Sequence, residues 1–362
     1  MKTYIHHKHR FVTVFNPKTG LTVRSGVFDE HLHEGEDPLF ADYPELLDIG
    51  VMGHCLHGLS GLCALSKVEC YQRGAFVKEE NMSIEMFEHI LDQCEGKILQ
   101  VALGGRGDPD QHEHYERMLR YCVSKGVVPN YTTSGLGLSD EHINIAKQTV
   151  GAIAISWYRQ PYTLDAIHRC IKAGIKTNIH YCLSTETLDE AIELLKHHSY
   201  PKGINRIIFL LHKPIGQGTL DHVLQATDPR VETFFELFDD PIYANLAGFD
   251  SCSVPGLLMH TRNLDPCAIE GCEAGRFSAY ITPEGRLYPC SFMQEGFDGI
   301  DLGSVSLQNA WDHPTMEQFR ERYEGKCTSC SMKNLCLGGC PILPVINLCF
   351  HKERWDIYEG TC

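Results

Sequence analysis

Residues 53–74 read Gly-His-Cys-Leu-His-Gly-Leu-Ser-Gly-Leu-Cys-Ala-Leu-Ser-Lys-Val-Glu-Cys-Tyr-Gln-Arg-Gly and place Cys55, Cys63 and Cys70 on one loop. Three thiolates on a single loop can hold three irons of a [4Fe–4S] cube and leave the fourth iron open, so that the site binds a ligand as well as passing electrons. Two other readings fit the loop alone: a zinc site with His54 or His57 as fourth ligand, and three unrelated thiols. The residues on either side narrow the choice. Leu46-Leu-Asp-Ile-Gly-Val-Met52 reads as a buried strand that ends at the loop.

A strand-then-helix rhythm follows. A Ser cap predicts a helix from Ser83 with Ile84, Phe87, Ile90, Leu91 and Cys94 on one face. Strands are predicted at 98–103, 127–132, 152–156, 177–183 and 206–211, with helices at 112–124, 140–147 and 164–173 between them. Thr187-Leu-Asp-Glu190 reads as a capping box opening another helix, and Asp228-Pro229 enters a helix carrying Phe234, Phe235 and Phe238. Six strands alternating with helices imply parallel pairing with right-handed crossovers, in a partial (β/α) barrel or a doubly wound sheet. In either architecture the site lies at the carboxyl ends of the strands, where the cysteine loop falls. Ahead of this, Arg10–Phe15, the turn Asn16-Pro-Lys-Thr-Gly20 and Leu21–Arg24 read as a hairpin within a β-rich lead-in of residues 1–44.

The chain has 362 residues, 43% hydrophobic and 22% charged, enough for one barrel-sized domain and a smaller one. A net charge of −15 without a basic patch disfavours nucleic acid. No apolar run is long enough to span a membrane, and the first residues lack a signal-peptide centre, so the expected location is cytoplasmic. Seventeen cysteines in that reducing setting point to metal or redox chemistry rather than disulfides. Cys94, Cys122, Cys170 and Cys182 are assigned to core packing.

Nine of the seventeen lie from Cys267 onward. Ser278–Ile281 and Arg286–Tyr288 alternate around Thr282-Pro-Glu-Gly285, a hairpin that brings Cys272 and Cys290 together. The series Cys327-x2-Cys330-x5-Cys336-x3-Cys340, followed by Cys349 and Cys362, suits cubane clusters better than zinc, which takes four ligands per site.

On these residues the chain resembles the radical S-adenosylmethionine enzymes with a C-terminal SPASM extension. The loop spacing here is C-x7-C-x6-C, four residues longer in each gap than the family's C-x3-C-x2-C, and the C-terminal cysteines match the extension through seven positions. The resemblance implies an α/β fold, a partial (β/α)6 TIM-like barrel over residues 45–245 with a small Cys-rich SPASM domain over 246–362. It implies three [4Fe–4S] clusters and S-adenosylmethionine as cofactors. Cys55, Cys63 and Cys70 would hold the catalytic cluster. Cys267 (or Cys252), Cys272, Cys290 and Cys340 would hold the first auxiliary cluster, and Cys327, Cys330, Cys336 and Cys349 (or Cys362) the second. Leu103-Gly-Gly-Arg-Gly-Asp-Pro109 resembles the family's Gly-Gly-Glu region, so Gly104, Gly105 and Asp108 would receive the amino group of S-adenosylmethionine. Thr133, Ser134 and Ser156 fall where the family places ribose and carboxylate contacts, and Arg169, or alternatively Arg159, would pair the carboxylate. Lys213-Pro-Ile-Gly-Gln-Gly218 is a further rim of the pocket without an assigned role.

The activity so implied is generation of a 5′-deoxyadenosyl radical to modify a peptide or protein, with maturation of a ribosomal peptide by a thioether or carbon–carbon crosslink favoured. The expected partners are that peptide, a flavodoxin- or ferredoxin-type electron donor, and a separate leader-binding protein, because 44 residues are too few for a winged-helix leader-binding domain. A sulfatase-maturating type is the weaker enzyme reading, since Ser291 stands where an aspartate would follow Cys290. A non-catalytic iron–sulfur electron carrier is the alternative from another class.

Overall fold

The computed structural model describes residues 1–26, 39–265, 268–294, 297–323, 327 and 329–349. The lead-in forms a three-stranded antiparallel sheet, β1 (Lys2–His6), β2 (Phe11–Phe15) and β3 (Thr22–Gly26), one strand more than the hairpin read from sequence.

Seven parallel strands follow: β4 (Leu46–Met52), β5 (Gln100–Gly105), β6 (Val128–Thr133), β7 (Ala152–Ser156), β8 (Thr177–Leu183), β9 (Arg206–Leu211) and β10 (Ala247–Phe249). The first six are the predicted set, and β10 adds a short seventh against β9. Helices Ile84–Asp92, Tyr115–Ser124, Asp140–Thr149, Pro161–Lys172, Leu188–Lys196 and Pro229–Glu236 connect them. The hairpin β11 (Ser278–Ile281) and β12 (Arg286–Tyr288) forms where predicted, with β13 (Ile300–Asp301) beside it. β11 pairs parallel with β4, so one open sheet runs β10-β9-β8-β7-β6-β5-β4-β11-β12-β13. The architecture is therefore a partial barrel that does not close.

Period-two patterning explains how the sheet wraps a polar bore. In β8, Thr177, Ile179, Tyr181 and Leu183 are buried under the helices, whereas Asn178, His180 and Cys182 are half-buried on the other face. Gln100, Asn130, Thr132, Asn178 and His180 line one cavity of about 300 Å³. Cys182 thus belongs to the bore face and not to the apolar core; Cys94, Cys122 and Cys170 are fully buried in the core as expected. The turn after β2 lines the lower end of this cavity with Phe15, Pro17 and Thr19, and Lys176 Nζ donates to the carbonyls of Lys18 and Thr19 at 3.0 Å each.

Helix Leu188–Lys196 starts without the predicted capping box. Thr187 Oγ1 instead accepts from Ser184 N at 2.9 Å and donates to Cys182 O at 2.7 Å, which spends the hydroxyl on the preceding turn.

Candidate functional site

The cysteine loop leaves the carboxyl end of β4 and folds into two four-residue helices, Leu56–Leu59 and Leu62–Leu65. Cys55 caps the first, its Sγ accepting from Gly58 N at 3.1 Å, and Cys70 Sγ accepts from Gly74 N at 3.4 Å. A Cβ at Gly74 would touch Cys55 Cβ at 3.1 Å and Cys70 Sγ at 3.4 Å, so these two side chains flank a single glycine. Buried His57 sets its Nδ1 3.0 Å from Cys63 Sγ and its Nε2 2.5 Å from Tyr162 Oη, and stacks on Tyr158, whose hydroxyl lies 3.9 Å from Cys63 Sγ. Cys55 and Cys70 thus flank one glycine and Cys63 faces an imidazole, with two backbone N–H donors aimed at the other two sulfurs; among the described residues no three His, Cys, Asp or Glu side chains stand at metal-ligand spacing. Burial pushes the Cys55 thiol up to about 12 and the Cys63 thiol to about 11, so their thiolate forms need a nearby cation. A cluster's iron would supply one, and three thiols with N–H donors to sulfur are the chemical type of ligand it takes.

Other segments fix the loop from outside. Arg106 Nη1 donates to Gly53 O at 2.8 Å and to Glu79 at 2.6 Å, while its Nε donates to Gln72 O at 3.1 Å. Arg159 pairs with Glu190 at 2.6 Å and donates to Ser66 O at 2.9 Å. The 213–218 segment packs on the third cysteine through Gln217, whose N–H donates to Cys70 O at 2.9 Å and whose Oε1 accepts from Ala75 N at 3.3 Å.

The predicted ligand contacts divide. A Cβ at Gly104 would meet nothing within 4 Å, so open space faces this residue; at Gly105 (φ +93°) a Cβ would meet Gly50 Cα at 2.7 Å. Asp108 accepts from Ser134 N at 2.8 Å and from Ser134 Oγ at 2.5 Å, and burial, with Asp110 alongside, raises its pKa. Asp108 and Ser134 thus join two loops at the upper mouth. Ser156 ends β7 beside His180 and is half-buried. Thr133 is corrected: it is fully buried, its Oγ1 accepting from Gly135 N at 3.0 Å, and Thr132 takes the bore-facing position. Arg169 is likewise corrected. It pairs with Asp140 at 2.7 Å and Asp165 at 3.3 Å on the outer helix, while Arg159 reaches the cysteine loop.

Three interior groups were not assigned from sequence. Asp48, half-buried opposite Tyr280 in the β4–β11 register, is pushed up to about 7 by burial. A carboxylate inside an otherwise apolar strand was the available signal. Lys213 is buried in an ion pair with Asp250, which also accepts from Leu211 N at 3.1 Å and Ser253 Oγ at 2.7 Å. Lys213 Nζ sits 4.8 Å above the Phe292 ring, and Phe292 contacts Tyr71 at 4.7 Å. Tyr71 follows Cys70 and Phe292 lies two residues after Cys290, so this aromatic pair joins the first cysteine loop to the C-terminal one.

Beyond it Cys252, Cys272, Cys290 and Cys340 gather. The Cys252 thiol hydrogen-bonds Cys340 and holds the Cys340 pKa below its ordinary value, and Cys272 and Cys290 lie within electrostatic reach of both each other and Cys340. Tyr323 Oη is 3.2 Å from Cys272 Sγ, and Leu343 N donates to Cys340 Sγ at 3.3 Å. Cys336 is within reach of Cys327 and Cys349, with Cys330 in the same turn. Cys267 and Cys362 lie outside the described residues.

Residues 272–331 match SPASM, an iron-sulfur cluster-binding domain. PqqA peptide cyclase of Methylocella silvestris is 24% identical over 268 residues, spanning 67% of this chain and 69% of the cyclase. Streptococcus suis SuiB bound to precursor peptide SuiA superposes with a TM-score of 0.63 at 16% identity, over 83% of this chain and 72% of SuiB. Native anSMEcpe with bound AdoMet and Cp18Cys peptide gives 0.61 at 14% identity, over 82% and 89%. The chain carries that iron–sulfur domain on their shared fold.

Proposed function

We propose that this protein is a radical S-adenosylmethionine enzyme that modifies a peptide, and that it matures a ribosomally made peptide by a thioether or carbon–carbon crosslink. The observation that carries this reading is the placement of Cys55, Cys63 and Cys70 on the one loop that leaves the carboxyl end of β4, with Cys55 and Cys70 flanking Gly74, beside the open space at Gly104. The PqqA peptide cyclase likeness and the peptide-bound neighbours support a peptide substrate. When bound there, a [4Fe–4S] cluster and S-adenosylmethionine supply a 5′-deoxyadenosyl radical that removes hydrogen from an unactivated C–H bond.

The chain's residues hold and shield that chemistry. Arg106, Arg159 and Gln217 fix the loop's curvature, so the three sulfurs keep their relative positions. The backbone of Gly104 and Gly105 offers carbonyls to an ammonium, with Asp108 holding Ser134 at the same mouth. The turn after β2 lines the lower end of the bore, which leaves the upper mouth, where the cysteine loop lies, for substrate. Lys213 and Asp250 place a buried charge pair between the two cysteine sets. Cys252, rather than Cys267, completes the first auxiliary site with Cys272, Cys290 and Cys340; Cys327, Cys330, Cys336 and Cys349 form the second. Residues 45–245 supply the radical site and 246–362 the auxiliary sites, in a reducing cytoplasm.

Anaerobic reconstitution tests this. The full chain is expected to bind about twelve irons and, with dithionite and S-adenosylmethionine, to yield 5′-deoxyadenosine. Alanine at Cys55, Cys63 and Cys70 together should leave about eight irons and no cleavage. Cys252→Ala should remove about four irons while Cys267→Ala removes none. Iron binding without any cleavage would leave an electron carrier in place of an enzyme.

A further inference from the structure

A buried ion pair stands beside the auxiliary cysteines. Lys213 is 7% exposed, and its Nζ lies 4.8 Å from the centre of the Phe292 ring, two residues past Cys290. It pairs with Asp250, two residues before Cys252, and Asp250 is itself held by Leu211 N at 3.1 Å and Ser253 Oγ at 2.7 Å. Arg276, also buried, donates to Cys272 O at 3.1 Å and lies 3.5 Å from Glu270. Burial raises the Cys290 thiol, and the hydrogen bond with Cys340 raises Cys252; against both, the Lys213 ammonium favours the thiolate, and at Cys252 it outweighs Asp250. On Cys340 it adds to the hydrogen bond from Cys252 that holds this thiol down. The ammonium is closed to an arriving substrate carboxylate, because it is enclosed and already paired with one. Nor does holding the fold account for it, since a buried ion pair is seldom more stabilising than an apolar pair of the same size.

We propose that Lys213 raises the reduction potential of an iron–sulfur centre held by Cys252, Cys272, Cys290 and Cys340, with Asp250 as the anchor that positions its ammonium. The inference rests on reading those four cysteines as one auxiliary site. Each thiolate of a cubane holds a different iron, so the four surround a cluster and not a single ion. Such a cluster gains one negative charge when one electron enters it, and no bond to Lys213 forms or breaks. In a low-dielectric interior a fixed cation stabilises the form that carries the extra charge, and local charge is one of the levers that set a cluster's potential. Asp250 opposes the effect by its own charge. Removing either partner alone should therefore move the potential in opposite directions, a pattern that disturbed packing does not produce.

The test is a redox titration of the reconstituted full chain followed by electron paramagnetic resonance, with the signal of this centre identified by its loss in Cys252→Ala. K213M is expected to move the midpoint to more negative potential, lowering the reduced-to-oxidised ratio at the native midpoint at least about tenfold. D250N, which leaves the ammonium without its counter-charge, should move it the other way. K213R should stay near the native value, and K213M/D250N should fall between the two single variants. The signal lost in C55A/C63A/C70A and the iron content should be unchanged throughout. Shifts of the same sign in K213M and D250N, or no shift in either, would overturn the role. Should K213M lose iron, the comparison of D250N with the double variant, which buries no unpaired charge, decides: a D250N midpoint at or below that of K213M/D250N overturns it. A Cys252→Ala chain that keeps every signal and all its iron would instead remove the auxiliary-site reading, and the role of Lys213 with it.

Discussion

Asp48 is a carboxyl on a half-buried strand position whose pKa burial pushes up to about 7. An unfolded aspartate titrates near 4, so the folded chain binds this proton more tightly across that window. Its cost to stability is absent below about pH 4, grows as pH rises, and is complete above about pH 7. Asp48→Asn is expected to stabilise the protein by about 2–4 kcal/mol at pH 8 and by almost nothing near pH 4, read as urea midpoints. A neutral or destabilising effect at pH 8 would mean that the carboxylate has a partner that holds its charge. The residue was legible in Leu46-Leu-Asp-Ile-Gly-Val-Met as a charge in an apolar run, although its consequence needed the neighbouring strand. Thr133 shows the opposite case. Placing a contact by position along a strand errs by one residue, and with a period of two that error puts the side chain on the wrong face of the sheet. Cys252 could be read only as an alternative to Cys267, because the cysteines it lies near in the fold, Cys340 and Cys272, come from other segments.

Among the elements, β4 to β9 could be read because each pairs an apolar helix-facing set with small or polar bore-facing residues, bounded by glycine-rich or polar turns. β1 and β10 escaped, the latter because three residues are too few for any periodicity. The capping box at Thr187 failed because the hydroxyl found closer backbone partners in the turn before it. The Gly-Gly-Arg-Gly-Asp loop was read through its glycines and acid, yet its arginine does the holding, by donating to the carbonyls at both ends of the cysteine loop. Arg106→Met would leave those carbonyls without their charged donor, at a cost of about 2–3 kcal/mol. Limited proteolysis should then cut between residues 53 and 79 faster than in the native chain, and, on the proposed function, iron bound at Cys55, Cys63 and Cys70 should be lost while iron bound at the C-terminal cysteines is kept. Arg106→Lys should restore only part of this, because an ammonium lacks the planar fork that reaches two carbonyls at once. Equal protection of the loop in Arg106→Met would show that Gln217 and Arg159 suffice to hold it.

At the scale of the molecule, the C-terminal region is part of the sheet and not an appendage to it. β11 lies six residues into the matched iron–sulfur domain and pairs in parallel with the strand that leads into the cysteine loop, in the register Leu46 with Ser278 to Ile49 with Ile281. Nothing local in the sequence announces this, since the two strands are more than two hundred residues apart and each reads well alone. The pairing means that the first cysteine loop and the auxiliary cysteines are set by one continuous backbone ladder, which also brings Tyr71 onto Phe292. Cutting the chain after residue 245 would bare the edge of β4 and uncover fully buried Leu47, Ile49 and Val51 along one of the most apolar strands. Residues 1–245 expressed alone are therefore expected to associate or precipitate, whereas the full chain, with its net charge of −15, is expected to elute as a discrete species on gel filtration. A charged residue directed at that edge, Leu46→Lys, should lessen the association of the fragment. A soluble, monomeric 1–245 that still binds about four irons would show that the barrel stands without β11 and that the two cysteine regions are coupled only by side-chain contact.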